Sequence, residues 1–217
     1  MDSHDVVDEW ATRSGAYSPD YYAYHGPDAT SERLRARLED AVKRDARILE
    51  LGCSCGRHLA HLHDDGYEDL AGIDVNPDAF DVMDEAYPDL AAAGTFHAAA
   101  IEDVVPEFDD GAFDVVFSVE TLQHVHPDQS WVFAHLARVT DALLVTVENE
   151  GGANEASADD REGVADVADA ERGVNYVDGE FPLYYRDWGA VFGALGMDQT
   201  DAVATKRDVL RVFEPAE

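Results

Sequence analysis

Glu50, Gly52, Ser54 and Gly56 punctuate the run ILELGCSCGRHLAHL, in which a short apolar stretch meets a glycine-bearing turn ahead of a segment able to be helical. A turn of that kind lays bare backbone at the carboxyl edge of a sheet, where open α/β folds bind ligands. Asp74, in GIDVNPDAF, follows Gly52 by about 20 residues, where a carboxylate can accept both hydroxyls of an unphosphorylated ribose. A dinucleotide fingerprint G-x-G-x-x-G aligned on Gly52 requires glycine at 54 and Gly or Ala at 57, whereas the chain has Ser54 and Arg57. An NAD-linked oxidoreductase is therefore the weaker enzyme reading. No G-x-x-x-x-G-K-S/T phosphate loop occurs, so an NTPase of that class is not supported.

The elements that must position these residues follow from periodicity. Leu34, Leu38, Ala41 and Val42 recur at helical spacing across 31–45 behind Thr30 or Ser31 as N-cap. RILEL (47–51) is too short for a helix and predicts a strand, with a helix after the loop. Strands are expected at 69–74, 95–100, 113–119 and 142–148, separated by a helix opening at Asn76-Pro77 and another over 130–139. Such alternation predicts an α/β fold, a doubly wound parallel sheet covered on both faces. From Asn149 to Glu180 the chain is acidic and poor in large apolar residues, which suggests a loop, a lid or disorder. A helix over 185–196 and strands at 197–205 and 208–213, paired as a terminal hairpin around Lys206-Arg207, complete one domain.

The acidic residue followed by alternating glycines resembles the first motif, E/D-x-G-x-G-x-G, of class I S-adenosylmethionine-dependent methyltransferases. Glu50, Gly52 and Gly56 match, and Ser54 stands where the middle glycine usually sits; its Cβ restricts close approach and positive φ, so cofactor affinity is what the departure affects. Asp74, the AIEDV segment and DGAFDVVFSVETLQHVHPD extend the resemblance over residues 47–148. It implies a Rossmann-like sheet of seven strands, mostly parallel with a reversed last strand, and S-adenosyl-L-methionine as cofactor. Gly52, Cys53 and Gly56 would lie against the amino-acid part of that cofactor with Glu50 helping to hold it, while Arg57 either reaches its carboxylate or faces solvent. Asp74 and Val75 would serve the ribose, and Asp103 with Glu102 beside it the adenine, with Ser118 completing the cofactor-binding set. His124 is the best base candidate, with His126 and Glu120 behind it, or it only shapes the pocket. A non-catalytic member of the same fold, acting as a binding protein, is the alternative that Ser54 favours.

The remaining candidates are weighed against structural roles. Cys53, Cys55, His58, His61 and His63 include zinc-ligand types, but His61 and His63 lie about 200° apart on a helix. No metal site is expected; small loop cysteines and surface histidines are. Trp10, Tyr17, Tyr21, Tyr22, Tyr24 and His25 crowd the first 30 residues, either as a lid with cation-π faces for a sulfonium or as an arm packed on the core. Glu148, Asn149 and Glu150, on the crevice side of the fifth strand, either touch an acceptor or belong to an acidic surface. That surface is pronounced: 47 Asp plus Glu against 15 Lys plus Arg give a net charge of -32, and only Lys43 and Lys206 are lysines. Nucleic acid and anionic membranes are disfavoured as partners, a small-molecule acceptor is favoured and a protein acceptor stands second. The charge pattern resembles proteins of extreme halophiles, a haloarchaeal-type acidic member, since self-repulsion is largely screened at about 1 M salt. The opening MDSHDVVDEW is acidic where a signal or transit peptide would be basic, and the cysteines form no disulfide framework, so a cytoplasmic location is expected.

Overall fold

The computed structural model describes residues 2–151, 171–177 and 181–216. Its strands are β1 (Arg47–Leu51), β2 (Asp69–Asp74), β3 (Thr95–Ala98), β4 (Phe113–Val119), β5 (Thr140–Glu148), β6 (Glu171–Val177), β7 (Phe181–Arg186), β8 (Met197–Ala204) and β9 (Val209–Pro215). Seven of them form one sheet in the order β3-β2-β1-β4-β5-β9-β8, while β6 and β7 pair separately. All pairs from β3 to β5 are parallel, and β9 runs antiparallel to both β5 and β8. The doubly wound sheet with a reversed last strand and the terminal hairpin are thus as expected.

Alternation along the strands supplies two cores. Leu49, Leu51, Val116 and Leu144 face one layer with Phe133, Trp188 and Phe192, whereas Ile48, Val115, Phe117 and Val145 face the other with Leu34, Leu38 and Leu59. Successive strand residues point to opposite faces, so a strand buried on both sides must be apolar throughout. The helices are α1 (Ser3–Ala11), α2 (Pro19–His25), α3 (Ala29–Ala41), α4 (Arg57–Asp64), α5 (Asp78–Ala86), α6 (Pro88–Ala93), α7 (Ile101–Val104), α8 (Val132–Val139) and α9 (Trp188–Ala194).

Several boundaries differ from expectation for local reasons. Helix α3 is capped by Asp28, not Thr30 or Ser31: its carboxylate accepts from the backbone N–H of both (2.8 and 3.1 Å), and Ser31 Oγ accepts in return from Asp28 N. Asn76 acts one step upstream of α5, its Oδ1 accepting from Asp78 N at 3.0 Å. The helix expected over 185–196 begins only at Trp188, because residues 181–186 pair with 171–177 as a hairpin. Val174 and Tyr176 alternate along that strand but are exposed, and so short a run inside an acidic, glycine-bearing stretch does not stand out as a strand. The rest of the acidic stretch, 152–170 and 178–180, lies outside the described residues.

Candidate functional site

The order reverses where β1 stands between β2 and β4, and at the carboxyl ends of these strands a cleft of about 1080 Å³ opens to solvent. Its floor is the loop between β1 and α4. Gly52 has φ 66°, and a Cβ there would fall 2.1 Å from Thr121 Oγ1, so the turn after β4 rests directly on bare backbone. Gly56 has φ 77° and is demanded by packing, since a Cβ would strike Met83 and Leu90 within 2.9 Å. Between them Ser54 takes φ 48°, the conformation that suits glycine, and its N–H donates to Asp74 Oδ2 at 2.7 Å. Asp74 Oδ1 accepts from Asn76 N at 2.8 Å, so one carboxylate ties together the loops that follow β1 and β2. Burial raises the pKa of Asp74 against those two hydrogen bonds.

Glu50 is fully buried at the cleft wall, and its Oε2 has no hydrogen-bond partner. Burial pushes its carboxyl well above the usual range, with the charge of Asp74 adding to the effect and Arg57 opposing it. A buried carboxylate with an unsatisfied oxygen is costly unless a donor or cation meets it, and the ammonium of a bound amino-acid group is such a partner. Arg57 also lines the cleft, but it neither faces solvent nor stands alone: it pairs with Asp28 at 3.1 Å and lies 4.8 Å from the Tyr22 ring centroid. His58, expected at the surface, is buried at the same wall because Ser31 Oγ meets its Nδ1 at 2.8 Å. His61 pairs instead with Glu32 at 3.0 Å, and both cysteines are free and buried. Among the described residues no group of three or more His, Cys, Asp or Glu is arranged to hold a metal ion.

The turn after β4 carries His124 and is held from two sides. Glu148, on the end of β5, accepts from the backbone N–H groups of Thr121, Leu122 and Gln123 at 3.1 to 3.2 Å and from Ser118 Oγ at 2.5 Å. Arg186, on β7, donates to the carbonyls of Leu122 (3.4 Å) and Val125 (2.8 Å). Both charged side chains are fully buried and neither lines the cleft. Ser118 and Glu148 therefore support the wall from behind, and Glu150 is likewise engaged, with Arg211 at 2.6 Å. His124 itself lines the cleft; Pro182 O can only accept, so the 2.9 Å contact fixes the ring proton on Nδ1 and leaves Nε2 with its lone pair. Burial lowers its pKa to about 4. His126 instead caps the following turn by accepting from Asp128 N and lies outside the cleft wall.

The N-terminal arm supplies the roof. Trp10, Tyr17 and Tyr22 line the cleft, while Tyr24 is 87% exposed and Tyr21 38%. Trp10 sits 4.6 Å from His124 and 4.8 Å from Phe181, which joins the arm to both the turn and the hairpin. Val75 and Glu102 complete the far wall, with Glu102 raised in pKa by burial, whereas Asp103 is exposed and stands outside it. The non-glycine residues with positive φ among the described residues, Tyr17, Ser54 and Glu120, all line this one cleft. Backbone strain of that kind gathers at functional sites. Sequence reasoning missed His58, Thr121 and Arg186, which act through contacts between distant elements and have no motif of their own.

Residues 48–142 match a family described as a methyltransferase domain. The O-antigen chain terminator bifunctional methyltransferase/kinase WbdD of Escherichia coli is 29% identical over 116 residues, covering 50% of this chain and 16% of that protein. This chain thus spans only a small part of that relative. Two solved structures share the fold. One is the 1,6-didemethyltoxoflavin-N1-methyltransferase of Burkholderia thailandensis with bound 1,6-didemethyltoxoflavin and S-adenosylhomocysteine (15% identity, TM-score 0.65, 99% of this chain and 87% of that one). The other is the magnesium protoporphyrin IX methyltransferase of Synechocystis PCC 6803 with bound S-adenosylmethionine (15% identity, TM-score 0.65, 99% and 96%). With its glycine loop, its carboxylates at the ends of β1 and β2 and this sheet order, the chain carries over residues 48–142 a match to the methyltransferase-domain family and shares the fold of these two methyltransferases.

Proposed function

We propose that the protein transfers a methyl group from S-adenosyl-L-methionine to a small molecule. The observation that carries this reading is the buried, unpartnered Glu50 oxygen at a cleft where the end of the neighbouring strand holds Asp74. In this reading Glu50 meets the cofactor's ammonium, the backbone of Gly52 and Cys53 and the nearby Arg57 receive its amino-acid end, and Asp74 with Val75 serves the ribose. Glu102 is better placed than Asp103 for the adenine, because only Glu102 lines the cleft. Asp103, Gly56 and Ser118 act from outside the wall. Methyl transfer requires little beyond alignment of the acceptor with the sulfonium and a group to receive its proton; His124 Nε2 fills that role. The N-terminal arm is the lid over both reactants. The small molecules 1,6-didemethyltoxoflavin and magnesium protoporphyrin IX, after which the two solved structures are called, support the choice of acceptor size. The strongly negative charge supports a cytoplasmic, salt-adapted enzyme that docks neither nucleic acid nor anionic membrane, and among the described residues no helix is long and apolar enough to cross a bilayer.

The test is a thermal-shift and calorimetric titration with S-adenosylhomocysteine and NAD in about 2 M KCl, where self-repulsion is screened. Ligand at about 100 times its dissociation constant adds roughly 2.7 kcal/mol of stability. Stabilisation by S-adenosylhomocysteine alone is expected. Stabilisation by NAD instead would revive the oxidoreductase reading, and no response to either would leave a binding role without this cofactor.

A further inference from the structure

Beyond Trp10 and His124 the cleft gives onto a second cavity of about 570 Å³, and Trp10, Tyr17, Tyr22, Glu120 and His124 belong to the walls of both. The far side comes from the β6–β7 hairpin through Asn175, Leu183 and Tyr185, and from Gln123, Asn149 and Arg207 on three loops. We propose that this second cavity is the acceptor subsite and that it takes an uncharged aromatic ring bearing a hydroxyl or amino group directly on the ring. The inference rests on the methyl-transfer reading of the first cavity and adds the substrate class to it.

Shape is the first reason. Four of the lining side chains, Trp10, Tyr17, Tyr22 and Tyr185, are flat aromatic rings, and such faces gain most from offset or edge contact with another flat ring. Tyr185 is held in place: a Cβ on Gly151 would lie 2.3 Å from its ring, and its hydroxyl accepts from Asn175 Nδ2 at 2.9 Å.

Charge is the second. Glu120 and Arg207, the acidic and the basic group of this wall, are paired with each other. An acceptor carboxylate drawing Arg207 away would leave Glu120 facing Asp208, whose carboxyl burial and Glu120 already push up to about 6. The amides offer no charge either: Gln123 is engaged with Glu120 O and Asn149 N, and Asn149 Oδ1 with Gly151 N.

Proton chemistry is the third. His124 stands in the wall common to both cavities with its proton fixed on Nδ1. A ring hydroxyl or ring amine keeps a lone pair while neutral, and its proton becomes acidic only as the new bond forms. An ammonium must lose its proton before it can attack, which a weakly basic imidazole does not achieve. In the step, the acceptor's lone pair bonds to the methyl carbon of S-adenosylmethionine as the carbon–sulfur bond breaks. The electron pair of that bond leaves with sulfur, giving S-adenosylhomocysteine, and the acceptor's proton passes to His124 Nε2 and on to solvent.

The experiment uses one ring skeleton in four charge states: 2-naphthol and 2-naphthylamine, neutral at pH 7, against 2-naphthoate and 2-naphthylmethylammonium. Each is titrated calorimetrically into the complex of the full chain with S-adenosylhomocysteine in about 2 M KCl. The neutral pair should bind at least about tenfold more tightly than either charged member. In Tyr185→Ala and Asn175→Ala the naphthol affinity should fall by about fivefold or more while the dissociation constant of S-adenosylhomocysteine holds, because both residues line the second cavity only and not the first. Equal or tighter binding of a charged member overturns the proposal, as does binding of S-adenosylhomocysteine with no response to any of the four. If S-adenosylhomocysteine itself fails to bind, the methyl-transfer reading falls and this inference falls with it.

Discussion

Ser54 holds a left-handed backbone (φ 48°) in a loop whose glycines at 52 and 56 adopt positive φ without a Cβ. Its N–H bond to Asp74 shows what holds the conformation. For a residue with a side chain the left-handed region costs about 1–2 kcal/mol, partly offset in a glycine variant by the greater entropy of the unfolded chain. Ser54→Gly should therefore raise stability by up to about 1 kcal/mol, read from chemical denaturation, and leave affinity for S-adenosylhomocysteine equal or tighter; weaker binding would show that the hydroxyl contacts the cofactor. His124 makes a second residue-scale prediction. Its pKa is lowered to about 4 by burial, against about 6.5 unfolded. The neutral ring thus contributes stability that is fully present above pH 6.5 and is lost as pH falls through 4, roughly 3 kcal/mol in all. His124→Asn should flatten that part of the acid limb. It should also lower kcat by about 100-fold or more with S-adenosylhomocysteine affinity unchanged, as loss of a proton acceptor does.

At the scale of elements, the turn at 121–125 is fixed by a buried acidic and a buried basic side chain on two different strands. Glu148 takes its N–H groups and Arg186 supplies donors to its carbonyls, both from buried positions. Each protein group left unpaired in such a place costs about 1–3 kcal/mol. Arg186→Met should lose stability of that order and reduce kcat more than cofactor affinity, with Arg186→Lys recovering part of both. Unchanged kcat in a folded Arg186→Met would separate the turn from the chemistry. The hairpin that delivers Arg186 was not legible in the sequence. Its outer strand, β6, is exposed over residues 171–176, and a short exposed strand is recognisable only once its partner is known.

At the scale of the whole molecule, net charge acts on all elements at once. With a formal net charge of -32 the folded chain repels itself, and the screening length falls from about 10 Å at 0.1 M salt to about 3 Å at 1 M. The melting temperature should rise steadily between about 0.1 and 2 M KCl, an effect a neutral osmolyte would not reproduce by screening. A flat profile would mean that the acidic surface does not limit stability. Arginine pairs such as Arg211 with Glu150 and Arg138 with Asp110 should contribute unequally to that response. The first is buried and little screened, while Asp110 is 82% exposed and its pair is worth little.

The amino-acid order by itself determined the alternation of strands and helices, the parallel sheet and the glycine loop with Glu50 and Asp74, because these rest on local periodicity, turn chemistry and short spacings. It also supplied the choice of His124, through the resemblance of the segment after the fourth strand. What only the tertiary structure decided is which side chains converge. Gly52 needs to be glycine because Thr121, from another strand's turn, arrives 2.1 Å from where its Cβ would be. Arg57 is occupied because Asp28 and Tyr22 come back across the loop. Glu148, readable as a surface carboxylate, is buried under the turn it holds. Those contacts join residues tens of positions apart, and no spacing in the chain encodes which of the available partners folding will bring within reach.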